Sequence, residues 1–123
     1  MTNLNYVGKS LIREDSFDKA TGKTLYVGDL KRPNMLYAKL VLSKKAHAEV
    51  EIDKSESMTV EGVEAIFTHE DVPNVLYNSF EWHSSIVAPR DELLLNSKAR
   101  FVGDRIALVV GKSKYSVEKA ISK

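Results

Sequence analysis

Residues 99–110, with the sequence ARFVGDRIALVV, decide the fold. The run from Ile106 to Val110 is the longest uninterrupted apolar stretch of the chain. A short continuous apolar run of this kind is typical of a central strand that is covered on both faces. Gly103 predicts a bulge or a turn within the stretch, because glycine weakens a regular strand. We therefore expect residues 99–110 to form the middle of a sheet.

Further strands are predicted on both sides of this stretch. From Ala46 to Asp53 apolar and polar residues alternate strictly, which indicates a half-buried antiparallel strand. In the run Met35 to Leu42, Leu36, Ala38, Leu40 and Leu42 share one face, opposite Tyr37, Lys39 and Val41. Three shorter runs complete a set of about six strands, at Thr24–Val27, Val63–Phe67 and Leu93–Leu95.

Helical segments are few and short. Lys54 to Glu61 predicts a helical turn that Gly62 closes, since glycine accepts the left-handed conformation at a helix end. A second turn is predicted at Thr68, whose spacing from Asp71 suits a cap, and it ends at Pro73. Ser113 is positioned to cap a longer helix with an apolar stripe at Val117, Ala120 and Ile121. The pattern predicts an α+β fold with mostly antiparallel or mixed strands.

The chain divides into two parts on composition. Residues 1–23 are polar and contain two turn-forming glycines, which predicts an extended leader and a first turn. Residues 24–123 hold the α+β domain. Because the sequence stops inside the last predicted helix, at Lys123, we expect a domain excised from a longer chain.

Composition excludes several classes of function. The chain has 123 residues, 43% of them hydrophobic, and a net charge of +1, which offers no broad field to attract nucleic acid or an anionic membrane surface. Its longest apolar run is far shorter than the ~20 residues of a membrane span, and no secretory signal is visible, so we expect a cytoplasmic location. The absence of cysteine excludes disulfides, cysteine-ligated iron–sulfur clusters and cysteine nucleophiles within this segment.

Three Gly-Lys-Ser/Thr triplets match the end of a phosphate-binding loop, at residues 8–10, 22–24 and 111–113. Such a loop requires a glycine five residues before the second one. Asn3, Phe17 and Ile106 occupy these positions instead. The triplets are therefore predicted to be turns and linkers.

Candidate catalytic and metal-binding side chains have equally plain interpretations. His47, His69 and His83 lack the local spacing of metal ligands, and solvated histidines are favoured. Surface charge and helix capping account for the adjacent carboxylates Glu70-Asp71 and Asp91-Glu92. No serine nucleophile elbow is present. We predict no catalytic, cofactor-binding or metal-binding residue in the chain.

Four blocks of residues, in order and with suitable gaps, resemble one known family. They cover nearly the whole chain from Val7. They are Val7-Gly8 with Arg13, Asp15, Asp18-Lys19-x-Thr21-Gly22, Tyr26 and Asp29; Met35-Leu36-Tyr37-Ala38 with Ser43-x-x-Ala46-His47-Ala48-x-Val50-x-Ile52-Asp53; Gly62-Val63-x-Ala65-Ile66-Phe67-Thr68-x-Glu70-Asp71-Val72-Pro73; and Val102-Gly103-Asp104-x-Ile106-Ala107.

These blocks resemble the first domain, the α/β hammerhead, of the molybdenum-binding subunit of the xanthine dehydrogenase and aldehyde oxidase family. The resemblance implies a scaffolding part of an enzyme that hydroxylates a purine, another heterocycle or an aldehyde with oxygen derived from water. It also implies a molybdenum-pterin cofactor in the downstream domains of the same chain, and iron–sulfur clusters and FAD in partner subunits. The family's catalytic glutamate and pterin-binding loops lie in those downstream domains, so we expect the isolated chain to be inactive.

One loop departs from the family pattern. Residues 74–92 show no helical or strand period and contain several aromatic side chains, and loops of this length in compact domains tend to be functional. We expect Asn78, Phe80 and Trp82 to line substrate access or a subunit contact. The alternative is that Phe80 and Trp82 pack their own loop onto the core. A free-standing binding or interaction module with the same fold is the alternative for the whole chain.

Overall fold

The computed structural model describes residues 6–80 and 89–123. They belong to two compact units, residues 1–33 and 34–123. The first unit contains the helix α1 (Ser16–Ala20) and a 3-10 turn at Val27–Asp29. The elements of the second unit are β1 (Tyr37–Leu42), β2 (Ala48–Glu49), α2 (Ser55–Met58), β3 (Val63–Phe67), β4 (Lys98–Ala99), β5 (Arg105–Gly111) and α3 (Lys114–Ile121). The predicted division between residues 23 and 24 stays a prediction.

Strand β5 lies at the centre of a three-stranded antiparallel sheet with the order β1-β5-β3. The central position predicted from the apolar run Ile106–Val110 is confirmed, whereas the cover predicted on both faces is complete on one face only, since Leu108 and Val110 are half-buried. A separate two-stranded antiparallel ladder joins β2 to β4. The predicted α+β class with antiparallel strands is therefore confirmed.

The stretch 99–110 is not one strand. It is divided between β4 and β5 by a turn, in which Gly103 has a φ of 98°. The carboxylate of Asp104 explains the division. It accepts hydrogen bonds from the backbone N–H groups of Arg100 and Arg105, each at 3.0 Å. A side chain that satisfies these donors replaces the ladder that a continuous strand would need. The turn predicted at Gly103 is confirmed, and the continuous strand is wrong.

The core lies between the sheet and α3. Ser113 accepts the N–H of Ser116 at 3.0 Å and so caps the helix as predicted. Val117 and Ala120 then pack against the sheet residue Val109, each of the three being at most 3% exposed. Helix α3 ends at Ile121, and Ser122 is its C-cap.

Strand β2 is shorter than its pattern predicted. Only Ala48–Glu49 pairs in a ladder, because its partner β4 ends where the Asp104 turn begins. The alternating burial nevertheless continues to Ile52, and the Val50 N–H donates to the Ser97 carbonyl at 2.8 Å. The faces were predicted correctly from Ala48 to Ile52, but Ala46, which was assigned to the buried face, is exposed.

Three further predictions need correction. Thr24–Val27 is not a strand, because Asp29 accepts the N–H of Tyr26 at 3.0 Å and closes a 3-10 turn there. Leu93–Leu95 is not a strand either and has no ladder of its own among the described residues. The leader 1–23 is not fully extended, since it contains α1. The helical turn at residues 55–58 and the left-handed Gly62, with a φ of 84°, are as predicted.

Candidate functional site

Backbone hydrogen bonds join the two sides of the predicted loop 74–92 near its ends. Tyr77 and Glu92 form an isolated antiparallel bridge, with N–O distances of 2.9 and 3.0 Å. Ser79 adds two bonds, because its N–H at 2.9 Å and its hydroxyl at 2.6 Å both donate to Oε1 of Glu92. The base of the loop is thus a defined structure.

Glu92 is held from its other side by Arg105 of β5. The Arg105 Nη2 donates to Oε2 of Glu92 at 3.2 Å and to the carbonyl of Leu93 at 3.1 Å. Its guanidinium also lies 5.7 Å from the ring centroid of Tyr77. Hydrogen bonds from Ser79, followed by the charge of Arg105, lower the pKa of Glu92 below its ordinary value, so this carboxylate is ionised at neutral pH.

Two of the three predicted loop residues lie just above this base. The amide of Asn78 donates to the carbonyl of Pro89 at 2.6 Å and accepts the N–H of Phe80 at 2.8 Å. The side chain of Phe80 is exposed, at 63%. Trp82 lies outside the described residues. Asn78 is therefore a structural link between the two halves of the loop as well as a neighbour of Phe80.

An open cleft of about 530 Å³ lies beside the loop base. Leu76 and Phe101 supply its apolar walls. Its remaining lining is polar or charged apart from Leu93, and comprises Arg90, Asp91, Glu92, Asn96, Arg100, Asp104 and Arg105.

A buried polar pair forms the floor of this cleft. Asn96 and Asp104 are each 4% exposed, and the Asn96 Nδ2 donates to Oδ1 of Asp104 at 2.8 Å. The backbone N–H groups of Arg100 and Arg105 donate to the same carboxylate, and the Arg100 Nη1 donates to Oδ1 of Asn96 at 3.2 Å. Every oxygen of this carboxylate has a donor, which is the arrangement of a structural group rather than of a general base.

Sequence reasoning missed most of this cluster. Asp91-Glu92 was interpreted as surface charge or helix capping, whereas Glu92 fixes the loop to Arg105. Asn96 was not singled out at all. The only available signal was Asp104, which lies in the last of the four family-like blocks.

The other singled-out motifs have structural roles. The triplet 111–113 ends β5 and caps α3, as its interpretation as a linker predicted. Asp71 accepts the N–H and hydroxyl of Thr68, at 2.7 and 3.0 Å, and the Lys54 ammonium at 2.9 Å. These bonds lower the pKa of Asp71 to about 2, and the bond from the Thr68 N–H makes the largest contribution. The carboxylate rather than the Thr68 hydroxyl is therefore the acceptor in this turn, which reverses the predicted cap.

The histidines do not behave alike. His47 is exposed, which agrees with a solvated side chain. His69 is half-buried, and its Nδ1 is buried without a hydrogen-bond partner among the residues that the structure describes. His83 lies outside those residues.

The described side chains do not fit a molybdenum-pterin site. Within residues 6–80 and 89–123, no group of three His, Asp or Glu side chains could hold a metal ion. The buried polar residues that would hold a polar cofactor are already bonded within the protein. They are Ser43, Thr68, Asn96, Asp104 and Ser116. In the same part of the chain no helix has the length and apolar character needed to cross a bilayer.

Together these features define a class of protein, a small α+β domain with a central antiparallel strand and a polar cluster that holds an aromatic loop. Residues 21–123 match the family model described as the aldehyde oxidase and xanthine dehydrogenase a/b hammerhead domain. The chain belongs to this family, and the resemblance seen in the sequence is confirmed.

Curated relatives agree with this assignment. The chain is 38% identical over 113 residues to a probable xanthine dehydrogenase subunit of Bacillus subtilis (strain 168), covering 91% of this chain and 14% of that protein. It is 34% identical over 114 residues to the putative xanthine dehydrogenase molybdenum-binding subunit XdhA of Escherichia coli (strain K12), covering 89% and 15%. For the nicotinate dehydrogenase large molybdopterin subunit of Eubacterium barkeri, the identity is 31%, covering 94% and 26%. The chain thus spans about a seventh to a quarter of the length of these relatives.

Solved structures show the same fold. Quinoline 2-oxidoreductase from Pseudomonas putida 86 superposes with a TM-score of 0.76 at 28% identity, over 94% of this chain and 15% of that chain. Aldehyde oxidoreductase from Desulfovibrio gigas superposes with a TM-score of 0.74 at 31% identity, over 89% and 13%. The expected hammerhead fold is therefore confirmed, and the relatives are oxidoreductase subunits that are much longer than this chain.

Proposed function

We propose that this chain is the scaffolding hammerhead domain of a xanthine dehydrogenase-like molybdenum hydroxylase subunit. The parent enzyme would hydroxylate a purine, a related heterocycle or an aldehyde, with the catalytic residues and the molybdenum-pterin group in other domains of the same chain. Iron–sulfur and FAD subunits as partners, and a cytoplasmic location, belong to the same proposal. The observation that carries it is the family match over residues 21–123, within relatives that are several times longer.

The buried polar chemistry of the domain supports a scaffolding role. Asp104 and Asn96 form their hydrogen bonds with each other and with backbone groups of the domain. Both oxygens of the Asp104 carboxylate are bonded within the protein and the residue is only 4% exposed, which suits a structural group better than a base that takes a proton from a substrate. What the domain offers to an enzyme is therefore a positioned loop.

The loop is the part of the domain that we propose to act in the parent enzyme. Asn78, Phe80 and Trp82 would line substrate access or a subunit contact. Support comes from the firmly bonded base at Tyr77 and Glu92, beneath a 63% exposed Phe80. Exposed aromatic area on a rigid base is typical of a contact surface rather than of internal packing.

The function of the parent is tested by assaying the purified complete complex against purines, aldehydes, nicotinate and carbon monoxide, with metal analysis. Molybdenum-dependent turnover of a purine or a related heterocycle or aldehyde is expected. Absence of molybdenum, or of turnover across the whole panel, would refute the proposal. The isolated 123-residue chain serves as the negative control, because we expect it to turn over none of these compounds.

The role of the loop is tested with Phe80→Ala and Trp82→Ala in the complete enzyme. We expect roughly a tenfold change in relative kcat/KM between two substrates, or a loss of subunit assembly, because a pocket contact discriminates by about this factor. Tyr115→Ala is the matched control, since Tyr115 is a comparably exposed aromatic residue on α3, at 74%. Unchanged substrate preference, affinity and assembly in both loop variants would leave only the packing alternative.

A further inference from the structure

The three-stranded sheet has one face without a cover. Helix α3 packs on the face that carries Val41, Ile66 and Val109, which we call the closed face. On the other face of the sheet, Leu108 of β5 lies between Leu40 of β1 and Phe67 of β3. We call this second surface the open face; its strand residues are Ala38, Leu40, Leu42, Ala65, Phe67, Leu108 and Val110.

The open face is apolar and accessible. Leu40 is 41% exposed, Leu42 48% and Phe67 38%. Leu94, which lies beside them, is 49% exposed. An open groove of about 350 Å³ is lined by Leu40, Phe67 and Leu94 among others. An antiparallel sheet with one solvated face normally has apolar residues on the buried face and polar residues on the other. A sheet that is apolar on both faces therefore indicates that a second element packs on it.

The charges at the edge of the groove are already neutralised within the domain. Asp71 is paired with Lys54, and Arg105 is paired with Glu92. A charged partner would have to compete with these pairs, whereas an apolar partner would leave them in place. The surface therefore suits apolar side chains at its centre.

We propose that the open face is an interface within the parent polypeptide, covered by an apolar segment from the domains outside these 123 residues. This inference rests on the proposed function, and it names the surface by which the scaffold is attached. The relatives hold the matched region as about a seventh of one chain, so most of each relative lies outside it. A segment of the same chain is also present at a high effective concentration.

The size of the open face favours such a segment over a second copy of the domain. Seven strand residues form the open face, whereas each partner in a stable association of separate proteins contributes about 20–30 residues. A stable association of separate proteins buries roughly 800 Å² on each partner. A tethered segment needs less, because part of the entropic cost of association is met by the covalent connection.

The experiment uses thiol labelling in the full-length subunit within its complex. The described domain has no cysteine of its own, so a new thiol in it is unique to its peptide. Leu40→Cys places the probe on the open face. Glu64→Cys is the matched control, because Glu64 lies on β3 of the same sheet and its side chain is 40% exposed, almost as Leu40 is.

Labelling with a maleimide is followed by mass spectrometry, which separates these peptides from any native cysteines elsewhere in the subunit. We expect the thiol at position 40 to react at least tenfold more slowly than that at position 64 in the native complex, and equally fast in denaturant. Leu42→Cys repeats the measurement should the first variant fail to fold. Equal native rates at both positions would overturn the proposal. Protection that disappears on dilution, or when the subunit is separated from its partner subunits, would also overturn it, since the cover would then be a second copy of the chain or a partner subunit.

Failure of this inference is distinguishable from failure of the proposed function. A complex with a protected position 40 but no molybdenum-dependent turnover contradicts the function alone. An active hydroxylase in which position 40 reacts freely contradicts the interface alone.

Discussion

The two faces of the β1-β5-β3 sheet are built from equally apolar residues but differ in burial. On β5, Ala107 and Val109 are each 3% exposed. Leu108, which lies between them, and Val110, which follows Val109, are only half-buried. Since these neighbours share one strand, composition does not cause the difference. The cover of α3 on one face does. The apolar sequence of a strand indicates whether one or both faces of its sheet are buried in the complete protein. It does not indicate which of the packing elements belong to this chain.

The same difference appears in how tightly the two faces are packed. On the closed face, the last residue of β5, Gly111, lies against the backbone of Gly62 and the side chain of Ser116. On the open face an accessible groove remains. Volume changes should therefore be costly on the closed face and nearly free on the open one.

The largest effect is expected for Gly111→Ala. A Cβ at this position would lie 2.8 Å from the carbonyl oxygen of Gly62 and 2.8 Å from Oγ of Ser116, so the strand or the helix must shift. We expect a loss of about 3 kcal/mol in the free energy of unfolding, measured by urea denaturation, at the upper end of what overpacking costs. Gly28→Ala is the control, because a Cβ there meets no atom within 4 Å, and it should cost less than about 0.5 kcal/mol. Equal losses in both variants would show that the close approach at Gly111 is absent.

The second prediction compares neighbours on opposite faces. Val109→Ala removes packed methyl groups from the closed face and should cost about 2–3 kcal/mol. Leu108→Ala removes a larger group from the half-buried side and should cost about 1 kcal/mol or less in the 123-residue chain. The comparison is made by urea denaturation of both variants. A larger loss from Leu108→Ala would contradict the assignment of the two faces.

Much of this sheet could be predicted from the sequence, because periodicity reports local geometry. The central position of Ile106–Val110, the strand Val63–Phe67 and the stripe of α3 at Val117 and Ala120 are all as expected. Each of these depends on residues that are close in sequence and on the period of side chains along one element.

The errors arose where side chains satisfy the backbone. The stretch 99–110 is interrupted because Asp104 accepts backbone N–H groups, and Thr24–Val27 is a turn because Asp29 does the same. The loop base was missed for a related reason, since Glu92, Ser79 and Arg105 are distant in sequence and meet only in the fold. Hydrogen bonds of this kind carry no period that a sequence pattern could display.

The edge of the open face provides a third prediction of moderate size. Arg105→Ala removes the donor to Glu92 and to the Leu93 carbonyl. We expect roughly two- to five-fold faster hydrogen exchange at the amides of Tyr77 and Glu92, measured by NMR, because a partly exposed ion pair contributes only modestly to local stability. Lys98→Ala, which breaks the exposed pair with Glu49, is the control and should leave both amides unchanged. No change in Arg105→Ala would mean that the backbone bridge and the Ser79 bonds hold the loop base without Arg105.

The smallest effect is expected from the titration of Asp71 at the opposite edge of the open face. In the folded protein hydrogen bonds from Thr68 and Lys54 hold the pKa of this carboxyl at about 2, below its ordinary value of 3.8. A carboxylate with a lowered pKa stabilises the fold above the unfolded-state value, and this contribution is lost as the pH falls through about 2. The predicted window of change therefore lies between about pH 4 and about pH 2.

Asp71→Asn isolates this contribution from those of other carboxylates with lowered pKa values. The amide keeps the shape of the side chain but does not titrate, so the difference in melting temperature between wild type and variant should shrink as the pH falls from about 5 to about 2. Glu70→Gln is the control, because it removes the adjacent carboxylate and leaves Thr68, Lys54 and Asp71 in place. Its difference from wild type should change less over the same range. A constant difference for Asp71→Asn would mean that the Thr68 and Lys54 bonds do not distinguish the ionised carboxylate from its neutral analogue, and that this edge of the open face is held by shape rather than by charge.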